Sequence, residues 1–242
     1  RAGKDFEVID TESDSQFDEY AAFYDEIMGR EGISLEGAKE VLRSNTTVVA
    51  ALLVRKGAAD AMVCGMVGVY HDHLVHVQNG LGTRDGVSDM AAMNVLVLRK
   101  GTYFVCDAYV QPEPSAGQIA SITALAAEQV KRFGLTPKAA LLSHSNFGTT
   151  DTDTSRKMRK ALGLIRRQIP DLEIDGEMQA DAALVPAIRE AARAHSRLKG
   201  QANLLVMPTM DAANIALNLL TVLGEGVAVG PVHEERRAQL EA

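Results

Sequence analysis

The fold of this chain is decided by Ala139-Ala-Leu-Leu-Ser-His-Ser-Asn-Phe-Gly148, an apolar run followed by small hydroxyl and amide residues. The same order of apolar strand, polar loop and helix returns in Leu172-Glu-Ile-Asp-Gly-Glu-Met-Gln-Ala-Asp181 and in Asn203-Leu-Leu-Val-Met-Pro-Thr-Met-Asp-Ala-Ala-Asn214. Strands that alternate with helices are typical of a parallel sheet, which delivers the loops after its strands to one edge. The three stretches therefore predict an α/β fold with a ligand site at that edge.

The loops after these strands carry residue types that suit an anionic, phosphate-bearing ligand. Ser143 and Ser145 offer hydroxyls just ahead of a predicted helix N-terminus, where free backbone N–H groups attract anions. The alternative is that these hydroxyls only cap the helix and tie the turn. Asp175 and Glu177 are candidates for orienting a ligand, acting as a base or holding Mg²⁺. The amide of Asn214 is suited either to binding a ligand or to locking the neighbouring loops.

The composition limits the class of protein. With 242 residues and 46% hydrophobic content, the chain is long enough to bury a sizeable core. A net charge of −7 argues against nucleic acid as a partner, because binding to phosphate backbones needs clustered positive charge. We find no apolar run long enough to span a bilayer and no signal peptide at the first residues. We expect a soluble cytoplasmic protein in which Cys64 and Cys106 are buried, reduced thiols.

Hydrophobic periodicity gives the order of the elements. Apolar residues at helical spacing predict a first helix over 15–28, and a second helix is expected from Ser34. The run 46–54 is β-branched at its start and suits a strand, but its position before Arg55-Lys56-Gly57 favours a third helix. The run from Asp60 to Gly65 predicts a short buried strand. The remaining predictions are a hairpin formed by 94–98 and 103–110, and helices at 116–133, 154–168, 181–194 and 211–223.

Three histidines close together, His71, His73 and His76, raise the hypothesis of a zinc site. On a helix only His73 and His76 would share a face, and no cysteine or matching carboxylate stands at ligand spacing nearby. We therefore favour a turn after the Gly65–Gly68 loop and predict no metal in this part of the chain.

The loop motifs resemble the phosphate acetyltransferase (phosphotransacetylase) family, over nearly all of residues 4–232. The form Ser-His-Ser-Asn-Phe-Gly at 143–148, together with Arg156-Lys-Met-Arg159, is most similar to the carboxyl-terminal domain of large bacterial NADP-dependent malic enzymes. The other matching stretches are Leu172–Leu184, Lys199–Pro208, Ala213–Ile215 and Gly230–Val232.

The resemblance implies two α/β subdomains with parallel-rich sheets flanked by helices and a ligand cleft between them. Residues 1–86 would be part of the first subdomain, 87–232 the second, and 233–242 a charged tail. It also implies a binding site for acetyl-CoA. The candidate ligand-binding residues are Arg30, Tyr70, Ser143, Ser145, Asn146, Asp175, Glu177 and Asn214.

Two departures from the family pattern bear on activity. The helix after Gly65-Met-Val-Gly68 carries a catalytic arginine in active members, and Val75 stands there in this chain. The serine-arginine and aspartate motif expected after Gly230-Pro-Val232 is absent from the sequence. The loss of an arginine removes a charge-assisted donor to phosphate, and the loss of the base removes thiol activation. We therefore predict no catalytic residues.

The resemblance to the malic enzymes implies a regulatory use of the remaining site. Acetyl-CoA would bind as an allosteric inhibitor, and the domain would support a homo-oligomer, a dimer or higher. The domain itself would need no cofactor, since NADP and a divalent metal would be held by a malic enzyme region of the same polypeptide. Two alternatives stay open: an active phosphate acetyltransferase and a purely structural oligomerisation module.

Overall fold

The computed structural model describes residues 4–83 and 90–232. The chain divides into two compact units, one from residues 1–86 and the other from residues 87–234. Within the described ranges, no helix is both long enough and apolar enough to cross a membrane.

The described part of the first unit consists of helices joined by irregular segments. Ser34 and Asn45 cap the second and third helices, because their side-chain oxygens accept hydrogen bonds from the first backbone N–H groups. Apolar side chains of the first three helices form one core, which confirms the helices predicted from the sequence. The helices are α1 (Phe17–Met28), α2 (Leu35–Ser44), α3 (Thr46–Arg55) and α4 (Tyr70–Leu81), and a 3-10 turn (Gly29–Glu31) follows α1.

Three predictions in this unit are wrong. Residues 61–65 form no β-strand, and Cys64, which was expected to be buried, is exposed. A strand needs neighbours for its backbone, and the described part of residues 1–86 offers none. The expected turn at the histidines is instead the start of α4.

The second unit contains a six-stranded sheet in the order β4-β3-β5-β2-β1-β6. The four strands from β4 to β2 pair in parallel, while β1 pairs antiparallel with both β2 and β6. This mixed sheet confirms the α/β class. Its strands are β1 (Met93–Leu98), β2 (Gly101–Cys106), β3 (Lys138–Leu142), β4 (Glu173–Met178), β5 (Leu204–Val206) and β6 (Val227–Val232).

Helices cover both faces of this sheet. Those with bounds close to the prediction are α5 (Ala116–Arg132), α6 (Asp153–Gln168) and α9 (Met210–Leu223). The single helix predicted over 181–194 is wrong, because two short helices, α7 (Ala180–Leu184) and α8 (Pro186–Ala192), occupy this stretch. Pro186 lacks an N–H group and disfavours helical backbone at the residue before it, so the helix restarts there.

Candidate functional site

The parallel strands β2, β3, β4 and β5 end at the same edge of the sheet. Helices α5 and α6 pack with one face of the sheet, and α9 packs with the opposite face. The chain after β3 therefore turns towards one face, and the chain after the adjacent β5 turns towards the other. A crevice outside such a reversal is the common ligand site of open α/β sheets, which makes this edge a candidate site.

A fully buried carboxylate, Glu177, lies beneath the loop that follows β3. Its Oε1 atom accepts hydrogen bonds from Ser145 Oγ at 2.9 Å, from Gly148 N at 2.9 Å and from Arg159 Nη1 at 3.0 Å. Arg159 also pairs with Asp151, from Nη2 to Oδ1 at 2.7 Å. The arginine is thus used within the protein, and the two predicted residues, Ser145 and Glu177, contact each other.

The other hydroxyls of this loop are also used locally. Ser145 Oγ accepts from Thr150 N at 3.0 Å. Thr152 caps α6 by accepting from Ser155 N at 3.3 Å, and Ser155 Oγ accepts from Thr152 N at 2.9 Å in return. This reciprocal arrangement satisfies backbone N–H groups at the helix N-terminus that were expected to bind an anion. The capping interpretation therefore describes the start of α6.

The outer part of the loop is tied to the residue after β4. Asn146 Nδ2 donates to Gln179 Oε1 at 2.9 Å, and Asn146 Oδ1 accepts from Gln179 N at 2.8 Å. Gln179 Nε2 also donates to the carbonyl of His144 at 2.9 Å. Ser143 is half-buried, and its Oγ accepts from Ser145 N at 3.3 Å. In the described residues no acceptor receives the Ser143 hydroxyl proton, so this group remains available to a ligand.

Asp175 is buried inside β4 and accepts four hydrogen bonds. Its Oδ1 atom accepts from Arg166 Nη2 at 2.8 Å and from Gly176 N at 3.0 Å. Its Oδ2 atom accepts from Ser196 Oγ at 2.9 Å and from Arg197 N at 2.8 Å. These contacts join β4 to α6 and to the segment that leads into β5, so Asp175 fixes the sheet edge from within.

A further carboxylate at this edge, Asp107, was missed by the sequence reasoning. It follows β2, and its Oδ1 atom accepts from the backbone N–H groups of Tyr109 at 3.0 Å and Val110 at 3.1 Å. Burial raises the pKa of Asp107, and these backbone hydrogen bonds act in the opposite direction. The other site residues were predicted because each is a polar residue that follows an apolar strand. Asp107 meets the same criterion and could have been predicted in this way.

Asn214 lies on α9 and reaches the loop after β2. Its Nδ2 atom donates to the carbonyl of Ala108 at 3.4 Å, and its Oδ1 atom accepts from Asn218 Nδ2 at 3.1 Å. Lys157 connects α6 to the loop after β5, since its Nζ atom donates to the carbonyl of Pro208 at 2.8 Å. The loops after the parallel strands are therefore bound to one another by side chains.

The first unit contains two of the predicted site residues. Arg30 is exposed in the 3-10 turn, and Tyr70 is the first residue of α4. The first turn of α4 also borders an open cavity of about 460 Å³. This cavity is lined by Asn45, Val67, Gly68, Val69, His71, Asp72, His73, Val75 and His76.

One histidine of the cavity has a structural role. His73 contacts Thr47 Oγ1 through Nδ1 at 2.8 Å and the carbonyl of Val67 through Nε2 at 2.7 Å. A carbonyl only accepts, so Nε2 carries the proton of the neutral ring and Nδ1 accepts from the hydroxyl. Side-chain hydrogen bonds of His71 and His76 are absent from the described ranges. Those ranges also contain no group of three histidine, cysteine or acidic residues able to hold a metal ion.

Comparison with known proteins identifies the class. The family model for phosphate acetyl/butaryl transferases matches residues 1–234. The chain therefore belongs to the phosphate acetyl/butaryl transferase family. A phosphotransacetylase from Streptococcus pyogenes has the same fold, with a TM-score of 0.90 and 30% identity over 98% of this chain and 72% of that one.

The relatives fall into two groups with different names. The NADP-dependent malic enzyme of Escherichia coli is 54% identical over 96% of this chain, which is 31% of the length of that enzyme. The phosphate acetyltransferase of Thermoanaerobacterium thermosaccharolyticum is 32% identical over 93% of this chain and 71% of its own length. The chain thus spans about a third of the length of this malic enzyme and resembles it more than it resembles the acetyltransferase.

Proposed function

We propose that the chain is a regulatory, non-catalytic domain of an NADP-dependent, oxaloacetate-decarboxylating malic enzyme. The observation that carries this proposal is the 54% identity to a malic enzyme over 96% of the chain, against 32% to a phosphate acetyltransferase. In this proposal the domain binds acetyl-CoA as an allosteric inhibitor and supports a homo-oligomer. The oxidative decarboxylation takes place in a cytoplasmic polypeptide of which this domain is one part.

The lining of the cavity in the first unit supports the non-catalytic part of the proposal. Val75 lines this cavity and is 39% exposed, at the position where the family resemblance expects a catalytic arginine. No lysine or arginine is among the described residues that line the cavity. A valine cannot donate a charge-assisted hydrogen bond to phosphate, so acetyl transfer loses one of its main electrostatic contributions.

The predicted site residues divide into two roles in this proposal. Ser143 and Asn146 at the outer part of the loop after β3, and Asn214 on α9, are the residues of the second unit that contact the ligand. The buried residues Ser145, Asp175 and Glu177 act indirectly. Glu177 accepts hydrogen bonds from Ser145 and Arg159, and Asp175 accepts from Arg166 and Ser196, and these contacts hold the loops in place.

The cofactors belong to the remaining part of the malic enzyme. We assign NADP and a divalent cation to the polypeptide region that the malic enzymes have beyond the matched 31% of their length. Inhibition by acetyl-CoA then requires that this ligand bind the less active state of the whole protein more tightly than the active state.

The proposal is tested by calorimetry and by two activity assays. We expect acetyl-CoA to bind the chain, and to inhibit malate-dependent NADP reduction by the longer polypeptide. Ser143→Ala removes one uncharged hydrogen-bond donor and should weaken acetyl-CoA binding about 3-fold to 10-fold. The control Thr221→Ala, whose hydroxyl bonds the carbonyl of Leu217 in its own helix, should leave binding unchanged. Failure of acetyl-CoA to bind at millimolar concentration would leave the domain a structural module.

A second candidate is an active phosphate acetyltransferase, which the family membership favours. A coupled assay that follows acetyl-CoA formation from acetyl phosphate and coenzyme A separates the two candidates. Negligible turnover together with tight acetyl-CoA binding supports the regulatory function. Turnover of several per second or more by the chain would replace it with the enzymatic one.

A further inference from the structure

One aromatic residue of the loop after β3 has an unusual backbone conformation. Phe147 has a φ angle of +50°, in the left-handed region that bulky residues rarely adopt. Its backbone is fixed there, because Phe147 N donates to the carbonyl of Glu177 at 2.8 Å and Gly148 N donates to the Glu177 carboxylate at 2.9 Å. Such conformations cost free energy and cluster at sites that clamp a ligand.

The position of Phe147 places its ring at the candidate ligand edge of the sheet. The residue follows β3 at the edge where the parallel strands end. Its half-buried side chain packs against the buried apolar cluster on the α9 side of the sheet. The guanidinium of Arg193 lies over the same ring, with Arg193 Cζ 5.5 Å from the ring centroid.

Arg193 differs from the other arginines near this edge because its charge is not used within the protein. Arg159 is paired with Glu177 at 3.0 Å, and Arg166 is paired with Asp175 at 2.8 Å. Arg193 is exposed just after α8, and within the described ranges its side chain makes no ion pair and no hydrogen bond. The pair therefore presents a planar cation on an aromatic ring, with guanidinium N–H groups available to a ligand.

This combination suits a ligand that carries both a flat ring system and phosphate. Purine rings stack on aromatic and guanidinium planes, and phosphate oxygens accept hydrogen bonds from guanidinium N–H groups. The acetyl end of acetyl-CoA has neither feature, whereas its other end is an adenosine with phosphates on the 3′ and 5′ positions. We propose that Phe147 and Arg193 bind this nucleotide end. The adenine ring stacks on the pair, and a phosphate accepts from Arg193.

The assignment rests on the proposed binding of acetyl-CoA and identifies the residues that recognise its nucleotide. It also gives the strained loop a use. The buried contacts of Glu177 hold the backbone of Phe147, and the ring then supports Arg193 at the surface. A ligand that lacks the nucleotide would leave this pair without a partner.

Calorimetry with adenosine 3′,5′-bisphosphate tests the assignment on the 242-residue chain. We expect this nucleotide to bind, and we expect Phe147→Leu to weaken both the nucleotide and acetyl-CoA at least about 5-fold through the loss of one base stack. Phe133→Leu is the matched control. Phe133 is 49% exposed and follows α5 at the opposite edge of the sheet, where the parallel strands begin, so its replacement should change neither affinity.

Two variants of Arg193 separate binding from a structural role of the pair. Arg193→Gln removes the charge and the full guanidinium, and Arg193→Lys keeps the charge without the planar group. Both should unfold in urea as the wild type does, since the side chain is exposed. We expect Arg193→Gln to weaken nucleotide binding most and Arg193→Lys to restore only part of the affinity. An affinity of Arg193→Lys equal to that of the wild type would contradict stacking on the guanidinium.

The outcomes distinguish this assignment from the proposed regulatory function. If acetyl-CoA binds and inhibits but Phe147→Leu and Arg193→Gln leave its affinity unchanged, the assignment is overturned and the regulatory function stands. If the nucleotide binds through the two residues and acetyl-CoA does not inhibit malate-dependent NADP reduction, the assignment stands and the regulatory function fails. Failure of the nucleotide to bind at millimolar concentration would also overturn the assignment.

NADP contains a related nucleotide, with phosphates on the 2′ and 5′ positions of its adenosine. The 3′,5′ and 2′,5′ isomers share the ring and the charges, so a comparison of their affinities identifies the source of the ligand. We expect the 3′,5′ isomer to bind more tightly. Tighter binding of the 2′,5′ isomer would assign the pair to NADP and overturn its assignment to acetyl-CoA.

Discussion

The loop after β3 and the cavity at the start of α4 use their polar side chains in different ways. In the loop, Ser145, Arg159 and Glu177 bond one another, and the first turn of α6 is capped by Thr152. At the cavity, the helix begins at Tyr70 after Val69, which provides no side-chain cap. The polar side chains of the loop that the sequence predicted to bind a ligand are therefore largely hydrogen-bonded to other residues of the protein.

The difference separates residues that build a site from residues that contact a ligand. A buried carboxylate with three donors on one oxygen, as in Glu177, holds a loop in one conformation. A half-exposed hydroxyl such as that of Ser143, whose oxygen accepts from Ser145 N but whose proton no acceptor among the described residues receives, can still donate to a ligand. Substitution of a buried, fully bonded group should lower stability, and substitution of a hydroxyl that is still able to donate should weaken ligand binding.

The largest effect is expected for Arg159→Met, which breaks the ion pair beneath the loop. The change leaves the fully buried Glu177 carboxylate without a charged partner and should lower the free energy of unfolding by roughly 3 kcal/mol, measured in urea. Arg156→Met removes an exposed pair with Asp151 and Asp153, which water screens, and should therefore change the free energy of unfolding far less. Equal effects of the two variants would mean that the loop is not held by the buried pair.

A smaller loss is expected for His73→Ala in the first unit. The variant loses both ring contacts and leaves the buried Thr47 hydroxyl without this partner, which should cost about 1–2 kcal/mol. Hydrogen exchange of residues 65–69 should also become faster, because Val67 is no longer tied to α4. His71→Ala, on the same helix, is the control. If His71→Ala cost as much, the stabilisation by His73 would come from the helix and not from the two contacts.

The contribution of the buried Asp107 to the free energy of unfolding should depend on pH. Burial raises its pKa above the ordinary value of 3.8, so in the interval above pH 3.8 the folded chain keeps a proton that the unfolded chain has released. The contribution of Asp107 to stability is therefore complete at lower pH and is lost as the pH rises through its folded pKa. The destabilisation caused by Asp107→Asn should shrink from pH 4 towards pH 7, in urea unfolding at each pH.

The control for this pH dependence is a carboxylate whose pKa shifts in the other direction. The hydroxyl of Ser13 holds the pKa of Asp10 below its ordinary value, so the contribution of Asp10 is present above that value and is lost as the pH falls. The difference between wild type and Asp10→Asn should therefore grow with rising pH. If the difference from wild type changed with pH in the same direction for both variants, the opposite environments of the two carboxylates would be contradicted.

The order of strands and helices was predictable from the sequence because hydrophobic periodicity is local. Alternation of strand and helix after residue 137 is enough to predict the parallel sheet, and capping residues such as Ser34 and Asn45 mark helix starts. The exceptions have physical causes. Pro186 divides one predicted helix, and the strand predicted over 60–65 has no neighbour to pair with among the described residues of its unit.

The partners of the site residues were not predictable in the same way. Ser145 and Glu177 were both candidates, but their contact depends on the register of β3 against β4, which brings residues 32 positions apart together. Asp175 was expected near a ligand, and the structure surrounds it with Arg166, Ser196 and the backbone of Arg197. Sequence patterns locate polar residues at a sheet edge, and three-dimensional packing decides which of them remain available.

The smallest effect on stability is expected for His76→Gln at the cavity of the first unit. The side chain lines the cavity and has no hydrogen-bond partner among the described residues, so the free energy of unfolding should change by less than about 0.5 kcal/mol. If the cavity takes part in binding acetyl-CoA, calorimetry should show a several-fold weaker affinity in the same variant. A loss of stability without a change in affinity would place His76 among the residues that build the unit, as Glu177 does in the other.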